Sequence, residues 1–324
     1  MTWRVLALPP LPPDALLSAF ADERYELVLP DGRTPAALAR QLPDVDAVIG
    51  DWSTSTRLPD PGPRVCFVQQ PSVGTDGIDL ESFAAAGVPV SNCAGANTTS
   101  VAEWCVGATL SLLRRLVVAD AAVRRGEWPQ TSLGGRELAG LHVGIVGMGN
   151  VGRRCAELFG AFGCELSYWS RSRHDDAPAG WLELDELLAS CDVVVLVIAL
   201  GEQTRGLLSA QRLARCKPGV LVVNGARGQV VDEQALVEAL ASGQVGGAAL
   251  DVFQVEPLPL TSPLMSDPGV VLSPHLAGST EQSAANLFAL TRANLVRALS
   301  GEPVLDVVNG VDPVVRRRGE RPSG

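Results

Sequence analysis

Histidine is scarce in this 324-residue chain: His142, His174 and His275 are all it has. Acid–base work by an imidazole is therefore confined to three positions. Positive charge is also short. With 26 basic against 36 acidic residues the net charge is -10, so the basic footprint that non-specific nucleic-acid binding needs is missing. The one basic cluster, Arg316-Arg317-Arg318, is followed by Gly, Pro and Ser and reads as a solvated tail. Long apolar runs are absent. The longest is nine residues, Val193 to Gly201, against the ~20 that a spanning helix requires. Pro9, Pro10, Pro12 and Pro13 interrupt any signal-peptide core near the N-terminus. No C-x-x-C pair occurs among the seven cysteines, Cys66, Cys93, Cys105, Cys155, Cys164, Cys191 and Cys216. Odd in number and scattered, several in apolar segments, they read as small buried hydrophobes in a reducing compartment rather than as metal ligands or disulfides. The expectation is a cytoplasmic protein with no metal, no membrane partner and no nucleic-acid partner.

What is present is enough apolar side chain, 46% of the residues, for the cores of two domains. The first ninety residues alternate short apolar runs with helical patterns. Val5–Leu8, Glu26–Leu29, Val45–Ile49, Val65–Val68 and Val88–Val90 read as strands. Asp14–Phe20, Pro35–Gln41 and Leu80–Ala86 read as helices, the last capped by Asp79. Thr98 to Arg125 reads as one long helix ended by Gly126, and a turn-rich segment, Glu127 to Gly140, follows. A second alternating block then carries six strands: His142–Val146, Glu165–Trp169, Val193–Ile198, Val220–Asn224, Gly247–Val252 and Val270–Leu272. Helices are expected near 151–162, 183–190, 209–215, 232–242 and 280–299. Val304–Val308 is a late strand signal that could return to the first block. Strands alternating with helices predict an α/β fold of two doubly wound parallel sheets.

The sharpest local feature is Gly147-Met148-Gly149-Asn150-Val151-Gly152, set between an apolar strand and a helix. In that context G-x-G-x-x-G is a dinucleotide loop. Gly147 permits the turn, Gly149 leaves room for a pyrophosphate, and Gly152 lets helix and strand approach. The helix N-terminus then offers unpaired N–H groups and a positive dipole end to phosphate. A ligand-free glycine-rich turn is the competing reading. At the end of the next strand stand Ser170, Arg171 and Arg173, where a site for NAD usually carries an acidic residue. A carboxylate would repel a 2′-phosphate and guanidinium groups would bind it, so NADP(H) is expected to be preferred over NAD(H). Ordinary solvated arginines are the alternative.

Three later strands end in charged residues: Ala226-Arg227-Gly228, Asp251 through Glu256-Pro257, and Pro274-His275 through Gly278. In a parallel sheet all strand C-termini share one edge, the edge of the glycine loop. Reducing a 2-keto acid needs a carboxylate anchor, a proton donor and a nicotinamide. Arg227 suits the anchor because it cannot lose its proton. His275 suits the proton transfer, with an ordinary pKa near ~6.5. Glu256 would orient the imidazole and favour its charged form. Asp251 is placed to receive the carboxamide of the nicotinamide, and Ser170, Arg171, Ala226 and Gly278 complete the expected cofactor contacts. A surface arginine, a loop carboxylate and a capping or core histidine are the bland alternatives. His142 at a strand start and His174 in a polar loop are poor rivals.

At these residues the chain resembles the D-isomer-specific 2-hydroxyacid dehydrogenase family. The likeness runs through Val73-Gly74-Thr75-Asp76-Gly77-Ile78-Asp79, Val101-Ala102-Glu103, Gly147–Gly152, Ala226-Arg227-Gly228, Glu256-Pro257 and Pro274-His275, in the family's order. It implies an enzyme that reversibly reduces a small 2-keto acid to the D-2-hydroxy acid, with an Arg227/Glu256/His275 catalytic set. It implies a Rossmann cofactor domain, 97–284, inserted in a flavodoxin-like substrate domain, 1–96 and 285–324, with a cleft between them. It implies backbone N–H groups near Val73 and Gly74 that bind the substrate carboxylate, and a homodimer built around the long helix and the arm after it. Formate dehydrogenases carry Gln where this chain has Glu256, and phosphite dehydrogenases carry Lys where it has Val73. Ser170-Arg171 resembles the NADPH-preferring glyoxylate and hydroxypyruvate reductases. Asn97 to Glu103 resembles D-3-phosphoglycerate dehydrogenases, whose long C-terminal extension is not expected here. A nucleotide-sensing corepressor on the same fold is the alternative outside enzymes. Trp52 is a candidate for the cleft wall, a core or surface role standing equally open.

Overall fold

The structure is a computed structural model that describes residues 2–52 and 56–318. The chain divides into two compact units, one made of Met1–Asn97 with Thr280–Gly324 and the other of Thr98–Ser279. In chain order the first unit begins with β1 (Trp3–Ala7), α1 (Pro13–Phe20), β2 (Tyr25–Val28), α2 (Pro35–Gln41), β3 (Ala47–Ile49), β4 (Phe67–Gln69), α3 (Leu80–Ala85) and β5 (Val90–Ser91). The second holds α4 (Thr98–Leu113), α5 (Leu116–Arg124), β6 (His142–Val146), α6 (Asn150–Ala161), β7 (Glu165–Trp169), β8 (Gly180–Trp181), α7 (Leu184–Ser190), β9 (Val193–Leu196), α8 (Ala210–Leu213), β10 (Val220–Asn224), α9 (Glu233–Ser242), β11 (Val245–Leu250) and β12 (Val270–Leu272). α10 (Glu281–Leu299) rejoins the first unit.

Among the described residues the strands make two sheets, ordered β2-β1-β3-β4-β5 and β12-β11-β10-β9-β6-β7-β8. Every strand pair is parallel. Both sheets are covered on both faces, and successive residues serve opposite layers. In the first unit Val5, Ala7, Ala47, Ile49 and Phe67 join one apolar cluster, while Leu6, Leu8, Val48 and Val68 join another. In β9, Val193 and Val195 pack with Phe159 of α6, whereas Val194 and Leu196 pack with Leu187 of α7 and Leu236 of α9. This two-residue alternation, apolar on both sides, is the physical reason a run such as Val193–Leu196 becomes a central parallel strand. Helix starts are set by side chains: Thr34, Asp79, Ser209, Asp232 and Thr280 each accept a hydrogen bond from a first-turn amide.

Three expectations are corrected. The segment 98–125 is two helices, because Arg115 adopts a left-handed φ of 51° and the amide of Arg136 donates to the carbonyl of Leu113. Val304–Val308 forms no strand. It returns to the first unit through a single bridge, Val307 to Ser91, with Asp306 at φ 56° interrupting the extended run. Arg317 is not a solvated tail residue. Its side chain is 8% exposed and pairs with the buried Asp46 at 3.0 Å, while its guanidinium lies over the ring of Trp3. The final residues, 319–324, lie outside the described ones. Gly180–Trp181 adds an edge strand to the six foreseen in the second block. Trp52 packs edge-on against Phe288 of α10, ring centroids 6.2 Å apart.

Candidate active site

The loop between β6 and α6 divides its three glycines by task. Gly147 has φ 106°, and a Cβ there would come within 2.6 Å of the Val197 carbonyl oxygen. A Cβ at Gly152 would sit 1.9 Å from the carbonyl oxygen of Gly147, so the helix lies directly on the loop. Gly149 is the opposite case: a Cβ would meet nothing within 4 Å. Gly149 is also the N-cap of α6, with no side chain satisfying the first amides. Open space before uncapped N–H groups suits the pyrophosphate of a dinucleotide. Met148 is buried in the apolar cluster that holds Phe159, Asn150 is exposed and Val151 half-buried. At the end of β7, Ser170 donates to the Ser172 carbonyl at 2.6 Å, and Arg171 and Arg173 are exposed.

The loops after β10, β11 and β12 interlock. Asn224 accepts from the Ala226 amide at 3.0 Å and donates to the Arg227 carbonyl at 3.1 Å. Gly228 presses onto the next loop so closely that a Cβ would lie 1.9 Å from the carbonyl carbon of Phe253. Arg227 and Glu256 are thereby held on neighbouring loops. Asp251, 2% exposed, accepts from Ser273 Oγ at 2.6 Å and from the amides of Leu276 and Ala277 at 2.8 Å each. Its own carbonyl takes the His275 amide at 2.8 Å. Three of a carboxylate's roughly four acceptor sites are thus spent on the loop that carries His275 and Gly278. That grip holds His275 at φ 53°, a left-handed conformation that costs a non-glycine residue on the order of 1–3 kcal/mol.

His275 Nδ1 lies 2.8 Å from Glu256 Oε2, and the other carboxylate oxygen accepts the Phe253 amide at 3.1 Å. Hydrogen bonding to Glu256 raises the His275 pKa above its usual value, against the opposing effects of burial and of the Arg227 charge. Burial pushes Glu256 upward. The His275 and Phe253 hydrogen bonds and the charges of His275 and Arg227 outweigh it and hold the carboxyl below its ordinary value. Against an ionised carboxylate Nδ1 carries the proton, which leaves Nε2 as the outward nitrogen. The imidazole side chain is 38% exposed.

In the first unit the carbonyls of Val73 and Gly74 are tied down, by Asn92 Nδ2 at 2.7 Å and by Ser72 Oγ at 2.7 Å. Their amides meet no hydrogen-bond partner among the described residues.

Residues 106–277 match the family model described as D-isomer specific 2-hydroxyacid dehydrogenase, NAD binding domain. The chain belongs to that family. Its chemistry is accordingly the nicotinamide-dependent interconversion of 2-keto and 2-hydroxy acids. A glyoxylate reductase of Thermofilum pendens is 35% identical over 283 residues, 84% of this chain and 84% of its own length. The D-3-phosphoglycerate dehydrogenase of Mycobacterium tuberculosis is 34% identical over 293 residues, 89% of this chain but 55% of its own, so this chain spans about half of that relative. A solved glyoxylate reductase from Paecilomyes thermophila superposes with a TM-score of 0.85 at 30% identity, covering 95% of this chain and 98% of the other. Within this family member, sequence reasoning passed over Asn224 and Ser273, which shape the loops. Asn at a strand end before glycine is a recognisable loop-bonding signal. The bond from Ser273 to Asp251 has no local signature.

Proposed function

We propose that this dehydrogenase reduces glyoxylate or a hydroxypyruvate-like 2-keto acid to the D-2-hydroxy acid, with NADPH preferred over NADH. The 2.8 Å contact between Glu256 and His275 on the glycine-loop edge of the sheet carries the reading. The match to a glyoxylate reductase along most of both chains favours a small unphosphorylated substrate over 3-phosphoglycerate.

A nicotinamide dinucleotide, when bound, supplies or accepts the hydride. Gly147, Met148, Gly149, Asn150, Val151 and Gly152 would hold its pyrophosphate, Ala226 and Gly278 its neighbouring parts, and the remaining acceptor site of Asp251 its carboxamide. Ser170 and Arg171 would take a 2′-phosphate. The amides of Val73 and Gly74 bind the substrate carboxylate, and Arg227 holds the substrate and polarises its carbonyl. His275 gives a proton from Nε2 to the carbonyl oxygen in reduction and recovers it in oxidation. Glu256 keeps the imidazole oriented and charged until that transfer.

The cofactor unit is assigned to the residues around the seven-stranded sheet and the substrate unit to those around the five-stranded one. A homodimer is part of the same reading. Leu116, Val117 and Val123 of α5 are each more than half exposed and Trp128 is 78% exposed. Beside them lies a cavity of about 390 Å³ bordered by Leu112, Val117, Val118, Val270 and Val271. A cytoplasmic location agrees with seven free cysteines, six of them buried, and the charge of -10 argues against nucleic acid.

The test is oxidation of NADPH against a panel of 2-keto acids. Turnover with glyoxylate or hydroxypyruvate is expected, and His275→Ala should lower kcat by roughly 10²–10⁴ through loss of the acid–base group. Near-normal turnover in that variant would remove His275 from the role. Tight cofactor binding with silence across the panel would favour a nucleotide sensor instead. For the coenzyme, KM should be lower for NADPH than for NADH, and Arg171→Ala should move the preference toward NADH. Equal KM values in the parent enzyme would refute the preference.

A further inference from the structure

The segment after β7 carries the arginines assigned to the 2′-phosphate, and it is fastened at two points. Tyr168 is 1% exposed, yet its hydroxyl is not idle. It accepts from the His174 amide at 2.7 Å and donates to the His174 carbonyl at 3.0 Å. Both backbone groups of one loop residue therefore close on a single phenol rooted in the strand. The second fastening comes from α6, the helix that the glycine loop opens. Arg153 donates to the Asp176 carboxylate at 2.8 Å and to the Asp176 carbonyl at 3.2 Å. Within the loop, Ser170 bonds Ser172, and the Trp181 indole of the edge strand donates to the Ser170 carbonyl at 3.5 Å. Arg171 and Arg173 project between these anchors, exposed and outside every ion pair found among the described residues.

The charges raise a second point. Asp175 and Asp176 stand just beyond the two arginines, after His174, so with a neutral His174 the loop by itself has no net positive charge to offer a phosphate. Arg153 neutralises Asp176, whose carboxyl its hydrogen bond holds below the ordinary range. The pair leaves Arg171 and Arg173 opposed by Asp175 alone.

We propose that Tyr168 and Arg153 are positioning residues for coenzyme discrimination. Tyr168 fixes the backbone of 170–174, and Arg153 anchors and neutralises Asp176, so that Arg171 and Arg173 meet a 2′-phosphate already ordered. Neither residue needs to touch the coenzyme. The inference rests on the NADPH preference proposed above. NADH, lacking the 2′-phosphate, has little to gain from the ordered loop.

The experiment uses the full-length enzyme, with glyoxylate as substrate and NADPH and NADH each varied, alongside Tyr168→Phe and Arg153→Gln. Tyr168→Phe keeps the buried ring and removes only the hydroxyl. Amide hydrogen exchange over 170–176 is followed in the same proteins. Each variant should raise the KM for NADPH roughly three- to tenfold, the worth of about one hydrogen bond. The KM for NADH and the kcat at saturation should stay within about twofold, a change well below one hydrogen bond. Residues 170–176 should exchange faster while β7 and α6 keep their protection. An unchanged ratio of the two KM values in both variants overturns the proposal, whatever the exchange shows. A parallel rise of both KM values, or a fall in kcat with both coenzymes alike, overturns it too. Equal KM values in the parent enzyme strike at the coenzyme preference itself, before any variant is made, and the inference falls with it.

Discussion

Glu256 and His275 shift each other in opposite directions. The histidine is raised above its ordinary 6.5 by its hydrogen bond to the carboxylate, and the glutamate is held below its ordinary 4.5 once the bonds from His275 and Phe253 overcome burial. The signs fix the pH window. The stabilisation from Glu256 is present above its unfolded value and is lost as pH falls through the lowered one. That from His275 is complete below its unfolded value and is lost as pH rises through the raised one. Keto-acid reduction requires the protonated imidazole, so its rate should fall on the alkaline side of that raised pKa. Glu256→Gln weakens the hydrogen bond and removes the charge that together raise it. In that variant the alkaline limb of kcat/KM should move to lower pH, with kcat reduced. A pH profile of parent and variant checks this, and a limb that stays in place would show that Glu256 does not set the histidine's proton affinity. Both residues were legible at strand ends. The Asp251 clamp that forces His275 to a positive φ was not, because it joins a side chain on one loop to amides on another.

The β6–α6 turn shows what an element can reveal of itself. Strand, turn and helix are contiguous, and each glycine answers to a nearby atom, so a local pattern suffices to read them. The glycines should nonetheless respond differently. Gly152→Ala places a methyl within 1.9 Å of the Gly147 oxygen and should cost about 1–3 kcal/mol as the helix is pushed from the strand, with a lowered Tm and weakened NADPH binding. Gly149→Ala meets open space and should keep its Tm while losing NADPH affinity, because the methyl intrudes where the pyrophosphate approaches. Thermal melts and fluorescence titration separate the two, and equal losses of Tm would contradict the division of tasks. The break between α4 and α5 escaped the sequence for the opposite reason. Arg114 and Arg115 are ordinary helix residues, and the turn there is imposed by a docking segment around Gly135, whose Cβ would fall 2.6 Å from the Leu113 carbonyl oxygen.

Across the whole molecule, the chain's return after α10 closes the first unit. Leu295 and Ala298 of α10 and Val304 and Val315 beyond it share a core with Val5, Ala7 and Ile49. Arg317 then reaches Asp46, 271 positions away in sequence. Asp46 is 1% exposed and also accepts from Arg64 and from the Arg4 amide. Arg317→Ala removes one charged donor from this buried carboxylate and should cost roughly 1–3 kcal/mol, read as a lower midpoint in urea unfolding. A midpoint shift near zero would mean that Arg64 and the Arg4 amide satisfy Asp46 without Arg317.

By itself the amino-acid order determined the alternation of strands and helices, the two parallel sheets, the dinucleotide loop and the charged residues at strand ends. Each of these depends on periodicity or on neighbours a few residues apart, where the physics is short-ranged. Tertiary structure alone decided that Asp251 grips the His275 loop, that Tyr168 closes on His174, that Arg115 breaks a helix and that Arg317 is buried on Asp46. Those outcomes depend on which surfaces meet once the apolar layers have packed. A hydrogen bond or ion pair selects its partner only after the backbone has brought the two groups within a few ångströms.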